Sequence, residues 1–510
     1  MTSDQTGRGA AGDHEPPRGA STTDTWNGLA YTASAQWLVL REEDTPTAEV
    51  FSISYLAQDP PAERPVTFVF NGGPGAASAY LHLGAVGPQR IDLPADGSVP
   101  AFPPVLVHND ESWLAFTDLV LVDPVGTGFS RYVEDGAAHA DAGADRGQQK
   151  SGAHPGGSGD GRGQYFGTVR DLKAMGDFIS RWLSENGRWG SAVFIAGESY
   201  GGYRVGRLTR HLQETVGVGL NGVILISPAL EWNQLEAFMG RGDYAVEPWI
   251  DALPSMAAAA VHHGRSRAFK PGTPPAEVLR AAEEFATGEY ASFLTRGASM
   301  PATDRERVIN RYADLTGLDA RLVARAEGRV GVNRFKRELL KDTRTVLDVY
   351  DATVTSPDPF PDRDAYEGAE PSLTAVKAVF TAAVNRLLRT EIGVVTDRRY
   401  EVLNDDLVAV WKNDEAQYYF QGCPGATDDF RHGMAVNQHT RAFITHGWYD
   451  LVTPYHTSER LRNLMRLDPA TARRLTVRHF PGGHMFYTWQ ESRRAFTDAL
   501  AVFVAEATSR

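Results

Sequence analysis

The chain has 510 residues, too many for a single small core, and reads as one large domain with a substantial insertion or as two to three domains. A formal net charge of −13 speaks against a nucleic-acid partner, which needs clustered Lys and Arg, and no run of about 18 apolar residues offers a membrane span. Residues 1–24 are polar and are expected to form a disordered tail without the basic start and apolar centre of a signal peptide. Cys423 is the single cysteine, so no intrachain disulfide can form. Both features favour the cytoplasm, with leaderless export left open. Cys423 has no neighbour at zinc-like spacing, and the adjacent His262 and His263 cannot share a helix face. No metal and no cofactor are expected.

In chain order, residues 28–56 hold alternating and aromatic segments, such as Val50-Phe51-Ser52-Ile53-Ser54-Tyr55, and read as antiparallel strands. Two compact apolar runs follow, at 66–70 and 119–122, of the kind that fits central strands covered on both faces. The first ends in Asn71-Gly72-Gly73-Pro74-Gly75 and the second in Asp123-Pro124. Residues 136–164, crowded with Gly, Ala, Asp and Ser, read as a disordered surface loop. Helical spacing appears at 170–185, with Leu172, Met175, Phe178, Ile179 and Trp182 on one side. A strand at 192–196, a helix at 202–215 and a strand at 222–226 come next. From 231 to 438 strands are scarce and charged, helix-favouring sequence prevails, as at 276–287 and 320–340. This stretch is expected to be a mainly helical cap inserted into the core. Strand and helix then alternate again at 441–445, 459–465, 475–480 and 491–505. Alternation on both sides of the insertion predicts an α/β fold: a mostly parallel sheet flanked by helices. Its core is divided into 25–230 and 439–510.

Gly197-Glu198-Ser199-Tyr200-Gly201 lies between the strand at 192–196 and the helix at 202–215. A strand, a tight Gly-x-Ser-x-Gly turn and a helix make the nucleophile elbow of α/β-hydrolases. A free serine hydroxyl is a weak nucleophile, so a base and an orienting acid are required. Asp450, in His446-Gly447-Trp448-Tyr449-Asp450, and His484, in Gly482-Gly483-His484, each follow a predicted strand. The chain order Ser199, Asp450, His484 is the one α/β-hydrolases use. His484 would take the hydroxyl proton and return it to the leaving group. Asp450 would accept from the other ring nitrogen and stabilise the imidazolium. The glycine-rich turn at 71–75 can expose backbone N–H groups to a developing oxyanion.

Four blocks then carry a resemblance to the serine carboxypeptidases, peptidase S10, especially their bacterial branch. They are Asn71-Gly72-Gly73-Pro74-Gly75, Asp123-Pro124-Val125-Gly126-Thr127-Gly128-Phe129-Ser130, Gly197-Glu198-Ser199-Tyr200-Gly201-Gly202 and Gly483-His484-Met485. The resemblance implies that Gly73 and Tyr200 donate backbone N–H groups to the oxyanion. It also implies that Asn71 and Glu198 hydrogen-bond the free C-terminal carboxylate of a peptide. An ionised Glu198 would repel that carboxylate, so the group should be protonated when substrate binds, as burial favours. Peptidase activity is therefore expected to decline as pH rises.

The chain departs from the family pattern in three places. Ala76 replaces a usual cysteine, Ala85 stands where the family often has a glutamate that partners the elbow glutamate, and 136–164 looks like an insertion. The reading that results is a serine-type carboxypeptidase releasing single C-terminal residues through an acyl-enzyme. Its partner would be a peptide with a free C-terminus. An esterase or acyltransferase on the same scaffold, and an inactive hydrolase-like binding protein, are the alternatives, because fold alone does not choose among them. Oligomeric state and the preferred C-terminal residue stay open.

Overall fold

The structure is a computed structural model that describes residues 14–59, 64–133, 165–240, 244–363, 366–414 and 424–509. The expected loop at 136–164 and Cys423 lie outside the described residues. The framework is one mixed sheet. Its strands are β1 (Ala20–Trp26), β2 (Leu29–Glu42), β3 (Thr45–Ala57), β4 (Val66–Phe70), β5 (Asp118–Asp123), β6 (Val193–Glu198), β7 (Gly222–Ile226), β8 (Arg441–Thr445) and β9 (Leu475–Val477). They lie in the order β1-β2-β3-β5-β4-β6-β7-β8-β9, and the two-residue strand Arg131–Tyr132 pairs with β3. The first three strands and the β3–β5 pair are antiparallel. Every pairing from β5 to β9 is parallel. The expected tail at 1–24 is corrected at its inner end. Ser21 to Asp24 pair with Ser34 to Tyr31, so polar, threonine-rich sequence serves here as an edge strand.

Strands β4, β6 and β7 are buried along their whole length, which their near-continuous apolar sequence requires of central parallel strands. Alternate side chains feed two separate cores. Val69, Phe194, Ile224 and Phe443 point to one face, where Phe496 and Phe503 of helix α8 (Gln490–Thr508) cover them. Phe68, Ile195, Val223 and Ile444 point to the other, against Met175, Phe178 and Trp182 of helix α1 (Thr168–Glu185) and Leu208 of helix α2 (Tyr200–His211). The Phe68 ring meets Trp182 edge-on at 5.2 Å between centroids. This geometry suits the quadrupoles of both rings.

The insertion has a core of its own, built on α3 (Glu247–His262), α4 (Pro275–Phe285) and α5 (Ala302–Thr316). Its extent differs from the expected single cap at 231–438. Helix α6 (Pro371–Arg386) sends Val379, Phe380 and Val384 into the hydrolase-side core beside Phe51 and Tyr80. Helix α7 (Thr427–Val436) packs its Phe430 and Met434 beside Leu208 of α2. Single bridges join Ala76 to Leu403 and Gly128 to Glu401. Helix-favouring composition marks both kinds of segment alike, so only packing separates cap from core. The helix expected at 320–340 is also broken in two, at Glu327 and Gly328, both with positive φ.

Candidate active site

Register brings the site together. Phe70 pairs with Gly197, while Ile226 pairs with both Glu198 and Thr445. The residues just past these strand ends, Asn71, Ser199 and the 446–450 turn, therefore gather at one edge of the sheet. This is the edge where open α/β sheets place their ligands. A cavity of about 500 Å³ opens there, with Asn71, Glu198, Ser199 and His484 in its wall.

Ser199 has φ 60° and ψ −122°, a strained conformation for a residue with a Cβ. The strain is held by neighbours: Ser199 N–H donates to Ile226 O at 3.0 Å, and Ala229 N–H donates to Ser199 O at 3.1 Å. Close approach explains the elbow glycines. A Cβ on Gly197 would fall 2.1 Å from Gly201 O. Gly72, in the turn after β4, lies so near the elbow that its Cβ would be 2.6 Å from Tyr200 N and 2.7 Å from Ser199 Cβ. That closeness sets the Gly72–Gly73 turn beside the N-terminus of α2, whose first N–H groups have no partner within the helix. Gly73 itself has φ +100°.

His484 Nδ1 lies 2.7 Å from Asp450 Oδ2, and both side chains are buried. Asp450 Oδ1 accepts from Val452 N–H at 2.8 Å and Thr453 N–H at 2.9 Å, which fixes the carboxylate plane. Burial works to lower the pKa of His484, but the charge of Asp450 and its hydrogen bond outweigh that and hold it above the ordinary value of 6.5. With Nδ1 engaged by Asp450, Nε2 is the ring nitrogen that remains. The histidine loop is tied on both sides. Ser227 Oγ donates to His484 O at 2.7 Å, and His484 N–H donates to Tyr350 O of the insertion. The insertion also grips the acid: Leu451 N–H donates to Val349 O, and Ala352 N–H to Tyr449 O, each at 3.0 Å. Residues 349–352 were not singled out from sequence, because their contribution is made through main-chain atoms that any side chain would carry.

Glu198 is buried and lies beside Asn71, whose Nδ2 donates to Glu198 Oε2. Asn71 cannot turn over freely, since its Oδ1 accepts from Leu81 N–H at 3.0 Å. The other Glu198 oxygen, Oε1, accepts from the Tyr487 hydroxyl at 2.8 Å. Burial pushes the Glu198 carboxyl from 4.5 to about 7, against the opposing pull of His484 and of the hydrogen bonds from Tyr487 and Asn71. Tyr487 is a second residue missing from the sequence reading. Three residues past the histidine, it looks like one more core aromatic.

Supports behind the site are also buried. Arg204 of α2 donates to Asp171 Oδ2 at 2.7 Å and to Asn71 O at 3.0 Å, tying the Asn71 turn to α1. Asp123 Oδ1 accepts from Ser78 N–H and Oγ at 2.9 and 2.8 Å, anchoring the far end of the Gly-rich turn. The rest of the cavity wall is largely apolar, with Trp232, Leu235 and Phe238 on one side and Leu373 and Val376 of α6 on another. Asp351 also lines it; burial raises this carboxyl to about 6, and it accepts from Trp489 Nε1 at 3.0 Å. Among the described residues no cluster of three or more His, Cys, Asp or Glu could hold a metal ion, and no helix is long and apolar enough to cross a membrane.

The sheet order, the elbow and the strand-end cavity define the α/β-hydrolase fold. The model of the serine carboxypeptidase family matches residues 36–245. Over that stretch the chain is similar to the serine carboxypeptidases, peptidase S10. Curated relatives include the pheromone-processing carboxypeptidase kex1 of Aspergillus fumigatus, 28% identical over 185 residues that make up 36% of this chain and 23% of that protein. Serine carboxypeptidase-like 26 of Arabidopsis thaliana is 27% identical over 183 residues, 33% of this chain and 31% of that one. The matched stretch thus spans less than a third of these relatives' length. Among solved structures, the prohormone-processing carboxypeptidase of Saccharomyces cerevisiae superposes with a TM-score of 0.54 at 14% identity, covering 93% of this chain and 92% of that one. At that identity the likeness concerns the fold.

Proposed function

We propose that the protein is a serine-type carboxypeptidase that releases one C-terminal residue at a time, with Ser199, His484 and Asp450 as its triad. The observation that carries this reading is the buried Glu198 carboxyl, held by Asn71 in the same cavity as Ser199. A group that takes a peptide's terminal carboxylate must be neutral or cationic. Glu198 qualifies while protonated, and burial favours that state. Glu198 and Ser199 are consecutive residues lining the same cavity, which supports cleavage close to a free C-terminus. This adjacency favours removal of C-terminal residues over internal cleavage.

In the proposed reaction the scissile carbonyl oxygen lies toward the N–H groups of Gly73 and Tyr200. His484 Nε2 takes the Ser199 proton as Oγ attacks the carbonyl carbon, and Asp450 stabilises the imidazolium. The C–N bond breaks, and the released amino acid leaves with that proton. Water, deprotonated by the same nitrogen, then cleaves the acyl-enzyme. The apolar wall suits apolar side chains beside the scissile bond. Two assays test the proposal. A blocked dipeptide with a free C-terminus should be cleaved far faster than its C-terminal amide, and Ser199→Ala should abolish both turnover and fluorophosphonate labelling. Equal turnover of acid and amide, or turnover of simple esters alone, would reassign the protein to esterase or acyltransferase chemistry.

A further inference from the structure

The resemblance to the serine carboxypeptidases implies a second carboxyl at position 85, where this chain has Ala85, buried and unable to hydrogen-bond through its side chain. Residue 84 is glycine, and a Cβ there would lie 2.8 Å from Cε2 of Tyr487 and 3.6 Å from Cζ of Phe380. The tyrosine ring rests on the bare backbone of Gly84 and reaches Glu198 Oε1 with its hydroxyl at 2.8 Å. Tyr487 is itself held in place, because Arg493 Nη1 donates to its carbonyl at 3.2 Å.

We propose that Tyr487 is a positioning residue for carboxylate recognition: its phenol holds the Glu198 carboxyl on the oxygen that Asn71 leaves free, in place of a second carboxyl. The inference rests on the carboxypeptidase reading of the site. Two donors, one on each oxygen, fix the carboxyl plane and still leave one lone pair per oxygen for the proton that meets the substrate. The two kinds of partner act oppositely on that proton. A second carboxyl shares it and favours the neutral pair, whereas a phenol O–H is a donor and favours the ionised carboxylate. Tyr487 therefore orients Glu198 and at the same time lowers the pH at which it stops accepting a peptide carboxylate. The other ionisable groups that act on Glu198 are Asp450 from the loop after β8, His484 from the loop after β9 and Tyr80 from the short helix after β4.

The test is the pH profile of kcat/KM for a blocked dipeptide acid, with its ester or amide as control. Tyr487→Phe keeps the ring and removes only the donor. Its alkaline limb should move upward by about one pH unit, the tenfold expected of one hydrogen bond to a buried charge, with a higher KM for the acid at low pH and little change in kcat. The control substrate should not move. Gly84→Ala, which displaces the ring through a contact at 2.8 Å, should shift the same limb in the same direction. An unmoved limb in both variants, or equal losses on acid and control substrates, would overturn the proposal and leave Tyr487 a packing residue. A downward shift would show that the hydroxyl serves the protonated form, and would overturn it too. If the wild type does not separate acid from amide, the carboxypeptidase reading fails first and this inference falls with it.

Discussion

Replacing Glu198 by Gln separates the charge of this residue from its shape. In the native protein the carboxyl is pushed up to about 7, so its protonated fraction falls from nearly all at pH 5 to about 3% at pH 8.5. The glutamine is neutral at every pH. Its oxygen can accept from Asn71 while its N–H₂ turns to Tyr487, whose oxygen can accept. At pH 5 the variant should be slower on a dipeptide acid, by about tenfold or more, because an amide N–H is a poorer donor than a carboxylic acid. Between pH 5 and 8.5 the ratio of variant to wild-type kcat/KM should rise about thirtyfold, and taking the ratio largely cancels the titration of His484. Stability follows the same sign. A carboxyl whose folded value lies above its unfolded value weakens the fold as pH rises from 4.5 to about 7, by about 3 kcal/mol in all for a fully buried group. Glu198→Gln should therefore raise Tm relative to wild type at pH 8 and do so much less at pH 4.5. The assay is initial-rate hydrolysis across pH, paired with thermal unfolding at the two ends. A flat activity ratio would refute the link between the ionisation of Glu198 and substrate binding.

Three other perturbations test the surrounding geometry. Asp450→Asn should turn its oxygen to the N–H groups of Val452 and Thr453 and its amide to His484, forcing the wrong tautomer; kcat should fall on the order of a thousandfold or more with Tm little changed. Gly72→Ala would put a methyl 2.6 Å from Tyr200 N and 2.7 Å from Ser199 Cβ, so the elbow must shift; fluorophosphonate labelling should slow by about a hundredfold, and labelling at the native rate would refute this account of the glycine. Arg204→Ala leaves Asp171 buried without its partner and should cost about 3–5 kcal/mol in denaturant unfolding, while Arg204→Met with Asp171→Leu should recover most of that. A double variant as unstable as the single one would mean that the bond to Asn71 O, and not the ion pair, is what matters.

Much of this molecule is legible in short stretches of chain. Phe68, Val69 and Phe70 announce a central strand because a strand covered on both faces must be apolar throughout. The elbow at 197–201 announces itself because so close a crossing admits only glycine at positions 197 and 201. Asp450 and His484 could be picked out because each lies just past such a run, and a parallel sheet carries its strand ends to one edge. The reading faltered where a residue's role depends on a partner far away in the chain. Polar Ser21 to Asp24 form a strand only because β2 lies alongside. Helix α6 has the composition of the cap but buries Phe380 against Tyr80 of the core, with 5.1 Å between ring centroids. Tyr487 meets Glu198 across 289 positions, through a gap left by a missing side chain at Gly84. Periodicity and tight turns are written into neighbouring residues, since backbone geometry and burial act locally on them. Which carboxyl keeps its proton, which carbonyl holds His484 and which helix closes the core were settled by close packing between distant segments, where a few tenths of an ångström decide what fits.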